Sequence, residues 1–206
     1  MMTKIKICGI TNMEDAMAAV NLGVDALGFV FYKDSKRYIK PSKAYEITRM
    51  LPPFVTKIGV FANEDQVAIR DITAEIKLDL LQIHGDETPE YCGRLEIPYI
   101  KAFRLKDGTT LSEVNEYSTD FLLFDTYSKD EYGGTGHAFD WRILKDKPFD
   151  NKYVILSGGL NPGNVGDAVS FLNPYAVDVS SGVEEYPGKK DIEKLIKFIE
   201  AVKNGN

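Results

Sequence analysis

The segment Phe121–Gly136, FLLFDTYSKDEYGGTG, combines a short apolar run, an acidic residue and a glycine-rich loop. Phe121–Phe124 has the pattern of a strand that is buried on both faces. Asp125 follows directly, and a carboxylate is rare beside a buried strand unless something stabilises it or uses it. The glycines of Gly133–Gly136 allow backbone N–H groups to approach an anion closely. We therefore interpret Asp125 as an acid that takes part in chemistry, and the loop as part of a phosphate site.

Outward from this segment, strand-like and helix-like segments alternate along the chain. Eight apolar runs are predicted as strands: Lys4–Cys8, Ala26–Phe31, Lys57–Phe61, Leu80–Ile83, Tyr99–Phe103, Phe121–Phe124, Tyr153–Leu156 and Ala176–Val179. A helix is expected after each strand, with Thr11 or Asn12, Asn63 and Asp191 as caps, and with weaker periodicity at Phe139–Leu144 than elsewhere. Eight such units in a row predict parallel strands with crossover helices, and eight is the number that closes a barrel.

The predicted fold class is therefore α/β, as a compact (β/α)8 TIM barrel in which residues 1–206 form a single domain. The alternative is an open doubly wound sheet, which usually has fewer strands and a nucleotide-binding loop after the first strand. The turn after the first strand reads Cys-Gly-Ile-Thr-Asn and lacks G-x-G-x-x-G. A barrel of 206 residues must have short loops, which makes those at 32–40, 125–138 and 180–190 conspicuous.

Composition and charge argue against several classes of protein. The net charge is −6, and the basic residues are spread along the chain, so no basic patch suggests nucleic acid. No apolar run approaches the roughly 18 residues of a membrane span, and the start of the chain lacks the apolar region of a signal peptide. Cys8 and Cys92 do not make a disulfide framework, and Cys92 is interpreted as structural. No spacing indicates a metal site. We expect a cytoplasmic protein without a cofactor.

Two further loops predict where a phosphate binds. In a (β/α)8 barrel the active site lies at the carboxyl ends of the strands, and the loops after strands seven and eight are the usual phosphate site. These loops contain Gly158, Gly159, Ser180, Ser181 and Gly182. Glycines also serve as ordinary turns, but three such loops at one barrel end favour a small phosphorylated metabolite held by backbone groups. In this interpretation Gly134 and Gly136 add donors from the side.

Cys8 and Asp125 form the predicted acid–base pair. A thiolate and a carboxylic acid on opposite sides of a barrel mouth can remove a proton next to a masked carbonyl without a metal. Each also has a plainer interpretation, Cys8 as a small buried hydrophobe and Asp125 as a cap or ion-pair partner of its loop. A free Cys titrates at about 8.5 and an Asp at about 3.9. The pair therefore needs cationic surroundings that lower the pKa of Cys8, and an apolar strand that keeps the proton on Asp125.

Other polar side chains at the strand ends are predicted to bind substrate. Arg37 suits a carboxylate, with a solvated loop charge as the alternative. Asp178 is expected to accept a hydrogen bond from a substrate amine or to pair with a lysine inside the barrel. Gln82 and His84 end the fourth strand. His84 and His137 lack an obvious carboxylate partner nearby in sequence, so we assign both mainly binding or structural roles.

Short motifs occur in a specific order along essentially the whole chain. They are KICGIT at 6–11, SKRYI at 35–39, GVF at 59–61, LQIHG at 81–85, FDT at 124–126, GGTG at 133–136 with FDW at 139–141, LSGGL at 156–160 with NV at 164–165, and VDVSSGVE at 177–184 with PG at 187–188. In this order they closely resemble the phosphoribosylanthranilate isomerase family of tryptophan biosynthesis. The departures are small, such as Lys36 where a proline is common.

The resemblance implies an isomerase that performs the Amadori rearrangement of N-(5-phosphoribosyl)anthranilate to 1-(2-carboxyphenylamino)-1-deoxyribulose 5-phosphate. It implies that Asp125 is the general acid toward the furanose ring oxygen and that Cys8 is the general base toward the C2 proton. Arg37 would position the anthranilate carboxylate, Asp178 would lie near its amine, and the glycine loops would hold the phosphate. The expected partner is this small molecule, not nucleic acid or a membrane, and the assembly is a monomer or a homodimer.

Three alternatives remain open on the sequence. An indole-forming synthase should carry a lysine acid near a strand end, with an acidic partner. A histidine-pathway isomerase should carry an aspartate where Cys8 stands. A non-catalytic phosphosugar-binding barrel would keep the phosphate loops but would not need both Cys8 and Asp125.

Overall fold

Eight parallel strands follow one another around a closed barrel in sequence order. The computed structural model describes residues 2–105, 111–126, 141–145, 149 and 151–206. The strands are β1 Lys4–Cys8, β2 Ala26–Val30, β3 Thr56–Phe61, β4 Leu80–Ile83, β5 Tyr99–Leu105, β6 Phe121–Thr126, β7 Tyr153–Leu156 and β8 Ala176–Val179. β1 pairs in parallel with both β2 and β8, which closes the barrel. The predicted (β/α)8 TIM barrel is confirmed, and the open doubly wound sheet is wrong.

Helices connect most of these strands. The α-helices are α1 Met13–Asn21, α2 Pro41–Thr48, α3 Gln66–Ile76, α4 Pro89–Gly93, α5 Val165–Leu172 and α6 Ile192–Gly205. Before β6 and before β7 the described residues contain 3₁₀ helices instead, at Ser112–Glu116 and Trp141–Leu144. Both segments are too short to present an apolar face over several turns, and short pieces of this kind favour the 3₁₀ form. The helix predicted near Leu111–Tyr117 and the short, weakly periodic helix predicted at Phe139–Leu144 are therefore 3₁₀ helices in the described part of the chain.

Two of the three predicted caps are confirmed. Asn12 accepts a hydrogen bond from the Asp15 backbone N–H at 2.8 Å, and Asp191 caps α6. The prediction for Asn63 is wrong, because Asp65 caps α3 by accepting from the Val67 N–H at 2.8 Å. Asn63 has a φ of 52° and belongs to the turn that precedes this cap.

The loop after β8 contains a short antiparallel hairpin that the sequence did not predict. Its strands are β9 Glu184–Tyr186 and β10 Lys189–Lys190. Gly188 lies between them with a φ of 87°, a conformation that favours glycine. The hairpin returns the chain to the barrel mouth, so that Lys190 is fully buried there.

The barrel interior changes in character along its axis. Toward the amino ends of the strands it is filled by a mainly aliphatic cluster: Ala26, Ile58, Ile100, Ala102, Leu123, Ile155 and Ala176. Nearer the carboxyl ends, Lys6, Gln82 and Asp178 are all buried inside the barrel. Side chains alternate along a strand, so Lys6 and Cys8 share the inward face of β1 while Ile5 and Ile7 belong to the core between strands and helices. Within the described residues, no helix is both long and apolar enough to cross a membrane.

Candidate active site

A narrow cleft opens at the carboxyl ends of the strands, with a volume of about 60 Å³. It brings together residues from almost every part of the chain: Cys8, Val30, Ser35, Arg37, Val60, Gln82, His84, Asp125, Ser157, Asp178 and Ser180. Most of the side chains predicted from the sequence to act or to bind are among them. The two members of the predicted acid–base pair come from β1 and β6 and line the same cleft.

Cys8 ends β1, and its side chain lies beside that of Lys6. A Cβ atom built on Gly28 of β2 would be 2.8 Å from Cys8 Sγ and 3.2 Å from Lys6 Cε. The missing side chain of Gly28 therefore leaves room for both. Burial raises the pKa of the Cys8 thiol, although the charges of Lys6 and Lys190 act in the opposite direction. The prediction that the surroundings lower this pKa is wrong: the cations are present, but burial outweighs them.

Asp125 is buried near the end of β6 and meets His84 across the cleft mouth. Its Oδ1 accepts a hydrogen bond from the Thr126 N–H at 2.7 Å. Its Oδ2 lies 3.2 Å from His84 Nε2, without the alignment of a hydrogen bond. His84 therefore has a carboxylate neighbour, which comes from a distant strand and was not apparent from the sequence around His84. The protonation state expected for Asp125 stays a prediction.

Lys6 is the charged residue that our sequence analysis missed at the centre of the site. Its Nζ donates to Gln82 Oε1 at 2.7 Å and lies 2.9 Å from Asp178 Oδ1. Gln82 Nε2 in turn lies 2.7 Å from His84 Nδ1. Asp178 thus pairs with a lysine inside the barrel, which was one of its two predicted roles. The alternation in KIKIC, which places Lys6 and Cys8 on one face of a buried strand, was a signal that could have identified Lys6.

Arg37 is buried, so the alternative interpretation, a solvated charge in the loop, is wrong. Its Nε donates to both Glu184 oxygens at 2.9 and 3.0 Å, and its Nη2 donates to Oε2 at 2.7 Å. Lys190 Nζ donates to the other Glu184 oxygen at 2.8 Å and to the backbone oxygen of Cys8 at 2.6 Å. Burial alone would raise the pKa of Glu184, but Arg37 and Lys190 outweigh burial and lower it. Burial lowers the pKa of Lys190. Nothing local in the sequence indicates that Glu184 and Lys190 are buried.

The loops after β7 and β8 come close together in the way a phosphate site requires. Gly158 and Gly159 have φ values of 82° and 66°. A side chain on Gly182 would collide with the backbone oxygen of Leu160, so the two loops can pack only with glycine there. The described residues offer no backbone acceptor to the N–H groups of Gly158, Gly159, Ser181 and Gly182. Free donors of this kind can bind an anion. Gly134, Gly136 and His137 lie outside the described residues.

Several buried polar atoms around the cleft lack a hydrogen-bond partner within the described part of the chain. They are Thr126 Oγ1 and Ser180 Oγ, together with His84 Nε2, which lies 3.2 Å from Asp125 Oδ2 without forming a hydrogen bond. Buried polar groups are normally satisfied, so a concentration of exceptions in one cleft indicates a place for a polar ligand. No group of side chains suited to a metal ion occurs among the residues that the structure describes.

Comparison with known proteins gives one consistent result. The family model described as N-(5'-phosphoribosyl)anthranilate (PRA) isomerase matches residues 5–201. Proteins named N-(5'-phosphoribosyl)anthranilate isomerase are similar over nearly their full length. The relative from Trichlorobacter lovleyi is 48% identical over 202 residues, with 98% of each chain covered. The relative from Nitrosococcus oceani is 48% identical over 208 residues, with 100% of each chain covered.

Solved structures agree with these relatives. A phosphoribosyl anthranilate isomerase from Thermotoga maritima has a TM-score of 0.91 and 43% identity, with 98% of this chain and 99% of that chain covered. A second structure, of such an isomerase in complex with reduced 1-(o-carboxyphenylamino)-1-deoxyribulose 5-phosphate, has a TM-score of 0.88, 43% identity and the same coverage. The chain therefore belongs to the phosphoribosylanthranilate isomerase family of enzymes.

Proposed function

We propose that this chain catalyses the Amadori rearrangement of N-(5-phosphoribosyl)anthranilate to 1-(2-carboxyphenylamino)-1-deoxyribulose 5-phosphate in tryptophan biosynthesis. Asp125 is the general acid and Cys8 is the general base. The observation that carries this proposal is that Cys8 and Asp125, from β1 and β6, line one narrow cleft. The similar isomerase solved in complex with the reduced product analogue supports the choice of substrate.

The reaction begins at the ring oxygen of the ribose. Asp125 gives its proton to that oxygen, the bond between C1 and the ring oxygen breaks, and the anthranilate nitrogen becomes part of an iminium. The Cys8 thiolate then removes the proton on C2, which gives an enolamine. Tautomerisation of the enolamine yields the ketone. No metal is required, because the iminium itself draws electrons away from C2.

Proton accounting explains why the protonation states of the pair matter. Each turnover leaves Cys8 with one proton more and Asp125 with one proton fewer than at the start. The pair must exchange these protons with solvent before the next turnover. Because burial raises the pKa of the Cys8 thiol, only a minor fraction is thiolate at neutral pH, and that fraction grows with pH.

The remaining contacts orient the substrate. The N–H groups of Gly158, Gly159, Ser181 and Gly182 hold the phosphate, and Gly134 and Gly136 assist from the side. Arg37 attracts the anthranilate carboxylate while Glu184 holds the guanidinium at the edge of the cleft. Asp178 lies near the amine. The unpartnered Ser180 Oγ is available to a ribose hydroxyl group.

The test is a fluorescence assay that follows the loss of phosphoribosylanthranilate. Cys8→Ala and Asp125→Asn should each reduce kcat by at least about 10²-fold, as the removal of a general acid or base does. Cys92→Ala, at the other buried cysteine, and Asp120→Asn, at an exposed aspartate just before β6, are the matched controls. Near-normal turnover in folded Cys8→Ala or Asp125→Asn would refute the assigned roles. Phosphate binding without any turnover in the unaltered protein would instead favour a non-catalytic barrel.

A further inference from the structure

A continuous line of polar contacts crosses the cleft from the base to the acid. It begins where the side chains of Lys6 and Cys8 lie next to each other beside Gly28. A Cβ atom built on Gly28 would be 3.2 Å from Lys6 Cε and 2.8 Å from Cys8 Sγ. The line continues from Lys6 Nζ to Gln82 Oε1 at 2.7 Å, and from Gln82 Nε2 to His84 Nδ1 at 2.7 Å. It ends at His84 Nε2, which lies 3.2 Å from Asp125 Oδ2. Lys6, Gln82 and His84 are all buried.

The donors and acceptors along this line can be assigned in only one way. A lysine ammonium only donates, so the amide oxygen of Gln82 must face Lys6. The amide NH₂ of Gln82 then faces His84, and it also only donates. His84 Nδ1 must therefore be the acceptor. A neutral imidazole with a bare Nδ1 carries its proton on Nε2, which is the atom nearest to Asp125.

The assignment depends on Lys6 keeping its proton. Burial alone would lower the pKa of Lys6, but its contacts with Asp178 and with Cys8 outweigh burial, and the pKa is raised. Asp178 is the neighbour of Lys6 in the β1–β8 register, and their side chains are 2.9 Å apart. Lys6 is therefore a permanent cation at neutral pH.

We propose that Lys6 is a positioning residue that serves both members of the acid–base pair at once. Beside Cys8 its charge favours the thiolate, and through Gln82 it keeps the proton of His84 on Nε2, facing Asp125. This inference rests on the proposed function, because it assigns a purpose to the arrangement only if Cys8 and Asp125 react. Nε2–H is the useful form, since the N–H dipole 3.2 Å from Asp125 Oδ2 stabilises the carboxylate that appears when the proton is transferred to the substrate, even without the alignment of a hydrogen bond.

Other charges near Cys8 do not replace Lys6. Lys190 approaches Cys8 from β10, but it donates to the Cys8 backbone oxygen and to Glu184. Arg37 is committed to Glu184. The negative charge of Asp178, from β8, disfavours the thiolate form of Cys8. His84 and Asp125 face Cys8 from the far side of the cleft. Lys6 is the cation that acts most strongly on the thiol.

The competing explanation is that Lys6 is only the counterion of Asp178, and a second buried pair provides the control. Lys101 of β5 is equally buried and lies 2.9 Å from Glu87, but Glu87, unlike Asp178, does not line the cleft. Lys6→Met and Lys101→Met each leave a buried carboxylate without its counterion. If Lys6 has only a structural role, the two substitutions should lower stability by similar amounts, and neither should change the pH dependence of Cys8 alkylation.

The first experiment measures the pH dependence of Cys8 alkylation by iodoacetamide, in a Cys92→Ala background so that one thiol reports. Lys6→Met should move the midpoint upward by about one to two pH units and slow alkylation at least tenfold at a fixed pH below that midpoint. Lys101→Met should leave the midpoint within about 0.3 pH units of the parent protein. Equal midpoints in Lys6→Met and the parent protein would overturn the role of Lys6 at Cys8.

The second experiment reads the His84 tautomer by ¹⁵N NMR of the ring nitrogens, in a His137→Gln background that leaves one histidine. It does not require Lys6→Met to fold. The parent protein should show a protonated Nε2 and a bare Nδ1. Gln82→Glu has nearly the same shape but offers only acceptors, so it should move the neutral-ring proton to Nδ1 and lower kcat at least tenfold with little change in KM. A proton on Nδ1 in the parent protein would overturn the proposal.

The two experiments also separate this inference from the proposed function. Alkylation and the tautomer are measured without substrate. If Cys8→Ala remained active, the proposed function would fail whatever these measurements showed. If Cys8→Ala were inactive but Lys6→Met left the alkylation midpoint unchanged, only the inference about Lys6 would fail.

Discussion

Glu184 is the carboxylate that pairs with two buried cations, and Glu184→Gln tests how much this carboxylate contributes to the stability of the fold. Its side chain accepts hydrogen bonds from Arg37 at 2.7, 2.9 and 3.0 Å and from Lys190 at 2.8 Å. All three residues are less than 10% exposed. The substitution keeps the shape of the side chain and removes its charge. Arg37 stays charged under all ordinary conditions, so its buried guanidinium would lose the carboxylate that accepts three of its hydrogen bonds.

The size of the effect follows from this burial. Breaking a buried ion pair by removing the charge of one partner costs about 3–5 kcal/mol. For a chain of this length, each kcal/mol corresponds to a shift in Tm of about 2–4 °C. The expected drop in Tm is therefore roughly 6–20 °C. Lys190 can release its proton when its counterion is lost, because burial already lowers its pKa, so the loss arises mainly at Arg37.

Urea unfolding and thermal unfolding, both followed by circular dichroism, measure the effect. Glu185→Gln is the matched control, because it makes the same change at the next residue, which is exposed. The control should stay within about 0.5 kcal/mol of the unaltered protein. A loss below about 1 kcal/mol in Glu184→Gln would refute the view that Arg37 depends on this carboxylate.

The same carboxylate gives a pH dependence with a definite sign. The pKa of Glu184 is lowered in the folded protein. Its contribution to stability is therefore fully present above about pH 4.3, the pKa of a glutamate in the unfolded chain. This contribution is lost as the pH falls through the lower pKa of Glu184 in the folded protein. Acid unfolding of Glu184→Gln should lack this part of the pH dependence. Curves of stability against pH with the same slope below pH ~4.3 in both proteins would contradict it.

Three further results are expected. Gly158→Ala should lower the free energy of unfolding by about 1–2 kcal/mol, because Gly158 has a φ of 82°. It should also lower kcat, because the new Cβ would lie 2.9 Å from Asp125 Oδ1. Gly163→Ala is its control, and equal unfolding midpoints for the two would count against it. Gly28→Ala should lower kcat at least tenfold while the protein stays folded, since its Cβ would displace Cys8 Sγ; unchanged kinetics would show that the thiol has room to move. The kcat/KM of the unaltered protein should rise from pH 6 to pH 8 while Asp125 keeps its proton, because the raised pKa of Cys8 leaves the thiol mostly protonated there; the same rise in the residual activity of Cys8→Ala would exclude Cys8 as the base.

The barrel was predictable because its signals are local. Each strand is a short apolar run bounded by polar residues, and eight such runs in order leave few other folds. Cys8 and Asp125 were identified for the same reason, since each ends one of these runs. Their meeting in one cleft follows once the barrel closes.

The electrostatics of the site were not predictable in the same way. Arg37 and Glu184 are far apart in the sequence, and nothing local marks Glu184 as buried while the adjacent Glu185 is exposed. The hairpin β9–β10 consists largely of charged residues, so it lacks the apolar alternation that indicates a strand. The pKa of Cys8 depends on the balance between burial and two distant lysines, which only the folded chain sets.

The pairing of β1 with β8 has a consequence for the order in which the protein is synthesised. Cys8 is synthesised long before Asp178 and Lys190, which follow it in the chain. Until β8 arrives, one edge of β1 has no strand to pair with, and Lys6 has no carboxylate partner. The thiol of Cys8 therefore lacks this part of its surroundings until β8 has been made.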